Sequence, residues 1–262
     1  MDNSKNLIIG LSVGAYSAVQ HIESFILSLR KYYDGQVCMI IDEKSEPMVD
    51  FLKKYKVDIS LVKTKLTPES VMYNRWVLPR KVLIEKYKDV ENVILPDTRD
   101  LVFQDNPFKY LSGKQLDLSV ETKLVKECLV YNRRWVLELY GEEVYEEIKN
   151  NWILCAGVTG GKREAIIQLC DIMVEEYKTF GSSFVDQCTL NVFHAQRKLP
   201  DAQLHFTGDN LVATIGHSLG TTKVSNDGFL IGNGGMKPAM VHQYDRHKDI
   251  EHFFVENAIR PL

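Results

Sequence analysis

What most constrains this chain is a recurrence: short apolar runs that stop at a glycine or an aspartate, with amphipathic stretches between them. Residues 6–13 (NLIIGLSV) stop at Gly14, and residues 16–33 then carry Val19, Ile22, Phe25, Ile26 and Leu29 at the spacing of one helix face. Residues 36–41 (QVCMII) end at Asp42, a helix opened by Pro47 reaches about Tyr55, and residues 57–62 form a further β-rich run. Two such units predict an α/β chain, with a mixed, mostly parallel central sheet flanked by helices. In sheets of that kind ligands bind beyond the carboxyl ends of the strands, here residues 10–14 and 42–44.

The pattern continues. Residues 69–87 read as a helix that Pro79 should break or kink. A short strand over 93–95 then runs into Pro96-Asp97-Thr98-Arg99-Asp100. Residues 116–120 read as a strand and 131–150 as a solvated, acidic helical excursion. Residues 152–158 are β-like and stop at Gly160-Gly161, and helices follow over 163–180 and 184–196. From Pro200 the chain is richer in glycine, with a short apolar run at 239–242 and a polar tail in which His247 and His252 are expected to be solvated. No linker, repeat or low-complexity block divides it, so one domain over 1–262 is expected.

Composition excludes several classes. Thirty-two Lys and Arg against 35 Asp and Glu leave a formal charge of −3, so no global basic field favours nucleic acid. No stretch has the ~18–20 uncharged residues of a membrane-spanning helix, and no signal peptide is expected. Cys38, Cys128, Cys155, Cys170 and Cys188 are an odd, scattered set without CxxC spacing, against a disulfide framework or zinc cage. A reducing, cytoplasmic compartment fits best.

The segment richest in chemistry is 92–108, NVILPDTRDLVFQDNPF. A strand delivering Asp97 and Asp100 to its carboxyl end offers hard oxygen ligands where a divalent cation could meet a phosphate. The plain alternative is an acidic turn with an Asx cap.

Asp-x-Arg-Asp followed by Val-Phe-Gln-Asp-x-Pro-Phe resembles the segment bearing the DxD element of GT-A-type glycosyltransferases, notably a subgroup with Asp-[Ser/Thr]-Arg-Asp. The order of parts is similar too: a βαβ start, the acidic strand end, a later strand ending Ala156-Gly157-Val158-Thr159-Gly160-Gly161, a helix opening with Asp186-Gln187 and reaching Asn191, and a near-terminal Val241-His242-Gln243-Tyr244. The resemblance implies a nucleotide-binding half over about 1–110, an acceptor-side half over about 111–262, and transfer of a sugar from a nucleotide-diphospho-sugar, a UDP-sugar, to a hydroxyl of a glycan or glycoconjugate. It implies Mn²⁺ or Mg²⁺ held by Asp97, Asp100 and His242, although Arg99 departs from the usual third position and could itself neutralise diphosphate. Gly10, Ser12, Asp42, Arg80, Asp97, Arg99 and Gln187 match donor-binding positions, Arg80 better than Arg75. Asp186 matches a general base or sugar-binding carboxylate; taken alone it reads as a helix N-cap, as His242 alone reads as a buried structural histidine.

Two segments invite other readings. Residues 157–162 (GVTGGK) fail the Walker A pattern, because Ala156 stands where its first glycine belongs and Arg163 follows Lys162. They suit instead a close approach of acceptor to a strand without side chains. Residues 232–235 (GNGG) read as a turn or a lid-like loop. Two further functions compete: a sugar-nucleotide nucleotidyltransferase, disfavoured because no Gly-x-Gly-[Thr/Ser]-Arg follows the first strand, and a non-catalytic nucleotide-sugar or glycan-binding module. A phosphatase reading is weak, since that chemistry usually takes its nucleophilic Asp after the first strand.

Overall fold

The computed structural model describes residues 3–42, 45–63, 66–181 and 185–259; Glu43, Lys44 and Phe184, each inside an expected element or loop, lie outside them. In chain order the elements are β1 (Asn6–Ser12), α1 (Glu23–Tyr32), β2 (Gln36–Ile41), α2 (Glu46–Lys54), β3 (Asp58–Leu61), α3 (Pro68–Glu85), β4 (Asn92–Pro96) and β5 (Leu101–Phe103). There follow β6 (Leu116–Leu124), α4 (Asn132–Ile148), β7 (Trp152–Lys162), α5 (Arg163–Phe180), α6 (Val185–Ala195), β8 (Ala202–His205), β9 (Val212–Thr214), β10 (Lys223–Val224), β11 (Leu230–Ile231), β12 (Met240–His242) and α7 (Glu251–Ile259).

Seven strands form one sheet in the order β3-β2-β1-β4-β7-β6-β8. The pairs β2–β3, β1–β2, β1–β4 and β6–β8 are parallel, whereas β7 runs antiparallel between β4 and β6. The chain is thus α/β with a mostly parallel mixed sheet. Period-two alternation assigns its faces: Leu7 and Ile9 of β1 pack with Trp76, Leu83, Ile166, Leu169 and Met173 of α3 and α5, while Ile8 packs with Phe25, Ile26, Met48 and Leu52 of α1 and α2. Burying such side chains stabilises the fold by about 1.5–3 kcal/mol each relative to exposure.

A small second sheet positions the C-terminus. Its central strand β12 pairs antiparallel with β5 and parallel with β9, and its register sets His242 opposite Leu101. Gln243 N–H donates to the Asp100 carbonyl at 2.7 Å, closing the strand end.

Several expectations are corrected. Only 23–32 of the expected 16–33 helix is α-helical; short 3₁₀ turns at Gly14–Tyr16 and Val19–His21 precede it. Pro79 does not end α3, which runs through to Glu85. Burial of Trp76, Val82 and Leu83 against α5 offsets the ~3 kcal/mol that a proline costs inside a helix. The strand β7 continues through Gly160 and Gly161 to Lys162, paired on both sides. The excursion α4 is not simply solvated, because Val136, Tyr145 and Ile148 form a core with Val125, Ile153, Cys188 and Val192. The polar tail ends in helix α7, whose Phe254 and Ala258 are buried against Val102, Val241 and Tyr244, and His247 Nε2 contacts the Ile215 carbonyl at 2.5 Å. Residues 232–235 pack on Gly208, with Asn233 N–H donating to its carbonyl at 3.2 Å.

Gly161 has φ +148°, and a Cβ there would overlap the Gln115 carbonyl oxygen and lie 2.9 Å from Leu116 Cα. Backbone cannot move aside as a flexible side chain can. Gly161→Ala is expected to cost at least about 2 kcal/mol of unfolding free energy, measured by urea denaturation.

Candidate metal centre and cavity

The β4 strand ends at Pro96, and residues 97–100 bend before β5 begins. Asp97 and Asp100 therefore leave the sheet at its carboxyl edge, and β12 brings His242 beside them from the far end of the chain. His242 Nε2 lies 3.6 Å from Asp97 Oδ2 and 3.7 Å from Asp100 Oδ1, and one ligand atom from each of the three residues lies within 4.8 Å of the others.

The donors fit a divalent cation. His242 is fully buried, yet its Nε2 has no hydrogen-bond partner. A buried polar atom left so is costly unless something binds it. Two carboxylate oxygens with one imidazole nitrogen suit Mn²⁺ better than Mg²⁺, which prefers an all-oxygen shell. Gly157 keeps the space open: a Cβ there would stand 2.7 Å from both Asp97 Oδ2 and His242 Nε2. The Gly157 carbonyl accepts from Asp97 N–H at 2.6 Å, so the glycine also anchors the loop.

Arg75, on α3, joins the cluster to α6. Its guanidinium donates to Asp97 Oδ1 at 2.8 Å, to Asp186 Oδ2 at 3.1 Å and to the Ala156 carbonyl at 3.0 Å. Burial pushes the Asp97 carboxyl up, but Arg75, His242 and Arg99 outweigh it and hold it at about 2. Burial raises Asp100, with the charges of Asp97 and Asp245 adding to the rise against His242 and Arg99. Burial likewise raises Asp186, which Arg75 opposes. At His242 burial acts downward, but the Cys155 sulfur and the Asp100 and Asp97 carboxylates raise the imidazole well above its ordinary value.

A cavity of about 290 Å³ opens over this cluster, lined by Ile9, Leu11 and Val13 of the first strand and its end, by Arg75, Trp76 and Pro79 of α3, by Asp97, Thr98, Arg99 and Asp100, and by Gln243 and Arg246 after β12. Arg99 lies 3.3 Å from Asp245 and 3.4 Å from Asp100, and Arg246 lies 3.7 Å from Asp100. The mouth is therefore cationic over an acidic floor.

Of the residues expected at the site, Asp97, Arg99, Asp100 and His242 come together. Five expected donor contacts do not reach the cavity. Gly10 and Ser12 alternate with its lining residues and so point to the opposite face of β1; a Cβ on Gly10 would meet Met39 Sδ at 2.8 Å, which makes it a packing glycine. Asp42 Oδ2 accepts from Gly14 N–H at 2.8 Å and Leu66 N–H at 2.9 Å, tying two loops together. Arg80, five residues and more than one helical turn beyond Arg75, faces α5 and pairs with Asp171. The Gln187 amide donates to Glu121 Oε1 and Asn132 Oδ1, both at 3.1 Å, so it serves the packing of α6. Asp186 reaches the cluster only through Arg75, because its other oxygen accepts from Gln187 N–H at 2.7 Å. Arg246 was not singled out in the sequence; it carries no local signal, being an arginine in a charged tail.

Compared with protein-family models and with curated proteins, the chain has no match. The site is therefore defined by its own geometry, as an α/β cavity with an Asp-Asp-His group able to hold a metal ion.

Arg75→Met removes the cation shared by Asp97 and Asp186, at a cost of roughly 2–3 kcal/mol. Asp97, held low in the wild type, contributes stability above the ordinary carboxylate pKa that is lost as pH falls toward 2. In the variant Asp97 loses the largest of the charges that hold it down, so part of that stability is absent at neutral pH and the deficit should shrink as pH falls from about 7 toward 2. Thermal melts across that range check this; a deficit independent of pH would contradict it.

Proposed function

We propose that this chain is a GT-A-type glycosyltransferase that moves a sugar from a nucleotide-diphospho-sugar, a UDP-sugar, to a hydroxyl of a glycan acceptor. One observation carries the reading: the convergence of Asp97, Asp100 and a buried His242 Nε2 that makes no hydrogen bond, on the floor of a cavity walled by Arg75, Arg99 and Arg246. Acidic ligands beneath with guanidinium groups above form a setting for a diphosphate. The apolar wall of Ile9, Leu11 and Val13 offers a surface for the flat face of a base.

Asp97, Asp100 and His242 would hold Mn²⁺ or Mg²⁺, which when bound supplies Lewis-acid charge to the diphosphate leaving group. Arg99 and Arg246 lie on the solvent side, where their forks can take phosphate oxygens at the modest cost of loosening half-exposed pairs. Arg75, fixed by three acceptors, sets the orientation of Asp97 and excludes water from its buried side. Asp186 acts in this reading as a positioning residue: with one oxygen on Arg75 and the other on a backbone N–H, it holds the cation that holds Asp97.

Calorimetric titration with UDP-, GDP- and dTDP-sugars, each with Mn²⁺ and with EDTA, tests the proposal. Binding of one nucleotide class that requires the metal is expected. Asp97→Asn should weaken metal-dependent donor binding by about 100-fold, and because its charge beside Arg75 is lost it should also lower the melting temperature, while circular dichroism reports a retained fold. Binding without turnover toward any hydroxyl acceptor would favour a non-catalytic module, and no binding to any donor would overturn the transferase reading.

A further inference from the structure

Beyond β6 the chain makes a short 3₁₀ turn over Val125–Glu127 and then a second turn that opens α4. Val125, Cys128, Asn132 and Val136 recur at spacings of three and four and face inward, where the three apolar ones join the core around Ile148 and Ile153. Backbone bonds anchor the turn: Cys128 N–H donates to the Val125 carbonyl at 3.3 Å, and Arg133 N–H to the Cys128 carbonyl at 3.1 Å. The core is complete without the residues between, and Leu129, Val130 and Tyr131 project outward at 62%, 63% and 52% exposure. Among the described residues, Leu129 and Val130 are the most exposed large apolar side chains. Single apolar side chains on a surface need no explanation, but three in succession on an anchored turn do.

Basic side chains border this tip. Over residues 123–134 the charged groups are Lys123, Lys126, Arg133 and Arg134 against Glu127, in a chain whose formal charge is −3. A cleft of about 440 Å³ is lined by Leu129, Val130 and Leu137 together with Arg133, Arg134 and Glu138, so apolar carbon and guanidinium groups share one surface. Arg134 pairs with Glu138 at 3.5 Å, both half-exposed, an ion pair that exchanges readily for another anion. The next carboxylates of α4, Glu142 and Glu143, begin about 12 Å beyond Arg134 along the helix, more than a Debye length of roughly 8–10 Å.

We propose that residues 126–134 dock this protein on an anionic lipid surface, with Leu129, Val130 and Tyr131 seated among the headgroups and Lys126, Arg133 and Arg134 on lipid phosphates. An apolar tip bordered by lysine and arginine suits the boundary of a bilayer, where carbon enters the acyl margin and cations stay with the phosphates. No helix among the described residues is long and apolar enough to cross a membrane, so the contact is one of lying on the surface. A protein partner fits less well, because three side chains fall short of the ~800 Å² per partner that a stable interface buries. The sheet sets the orientation. Since β7 runs antiparallel to β4 and β6 antiparallel to β7, Leu124 and Trp152 lie toward the same end of the sheet as Pro96 and the acidic loop. Docking through the turn after β6 therefore brings the edge that carries the cavity toward the lipid. The inference stands on exposure and charge and is independent of what the cavity binds.

The test is co-sedimentation of the full chain with vesicles of phosphatidylcholine alone and of phosphatidylcholine with about one third phosphatidylserine. No donor or metal is added, so the result does not depend on the transferase reading. Binding to the anionic vesicles is expected to be at least about tenfold tighter than to the neutral ones, and to weaken as salt rises. A Leu129→Ser, Val130→Ser double variant and an Arg133→Gln, Arg134→Gln double variant should each lose at least about tenfold in binding. Circular dichroism should be unchanged, because the altered side chains lie outside the core. Should a variant unfold, the lipid and salt dependence of the wild type decides. Equal binding to both vesicles, binding to neither, or undiminished binding by either folded variant would overturn the proposal. So would a dimer in sedimentation equilibrium that the Leu129→Ser, Val130→Ser variant disperses, since the tip would then belong to a second copy of the chain.

Discussion

The pairing of β5 with β12 is the constraint on which the candidate site rests. Three residues of backbone ladder place a histidine from near the end of the chain against two carboxylates that lie some 140 positions earlier, as the numbering of His242, Asp97 and Asp100 makes plain. A one-residue slip in that register would turn the His242 side chain to the opposite face of the small sheet. The ladder is held by apolar packing on both sides, Met240 against the α1 and α2 core and Val241 against α7, so a helix at the C-terminus contributes to a metal-type cluster it never touches.

Charge balance is the second organising force. Asp97, Asp100 and Asp186 crowd the carboxyl edge of the sheet, and burial would push each toward its neutral form. Arg75 prevents this at Asp97 by sitting between it and Asp186 with a backbone carbonyl as its third acceptor. Such an arrangement is worth little as net stability, since desolvating the ions offsets much of their attraction, but it sets direction: the Asp97 oxygen not held by Arg75 is the one that faces His242. Gly157 completes the geometry by leaving out the one methyl group that would fill the space between those atoms.

Polar networks of the same kind bind the rest of the molecule to this edge. Gln187 sits next to Asp186 on α6, and its amide reaches Glu121 on β6 and Asn132 at the start of α4. Asn191, one helical turn on, caps the Leu154 backbone on β7 through both its amide atoms. The helix carrying Asp186 is thus fixed to the sheet by side-chain amides, whose paired donors and acceptors satisfy a buried interface that apolar contacts alone would leave free to slide.

The amino-acid sequence by itself determined the local order of this protein. The βαβ start, the strand leading into Asp97, and the helix over 163–180 follow from apolar periodicity and from glycine and aspartate punctuation, which act within a few residues. The acidic loop was legible for the same reason, since a strand end displays its side chains whatever packs around it. Which arginine serves the loop was decided by tertiary structure: Arg75 and Arg80 lie on one helix, and only the direction in which α3 packs on α5 turns the first to Asp97 and the second to Asp171. Gly10 and Ser12 were displaced by the sheet's alternation, Pro79 was absorbed by helix packing, and Arg246 at the cavity and the Glu121–His217 pair came together from segments with no sequence signal between them. Periodicity encodes which face of an element is apolar, whereas side chains meet across space only once those faces have been packed.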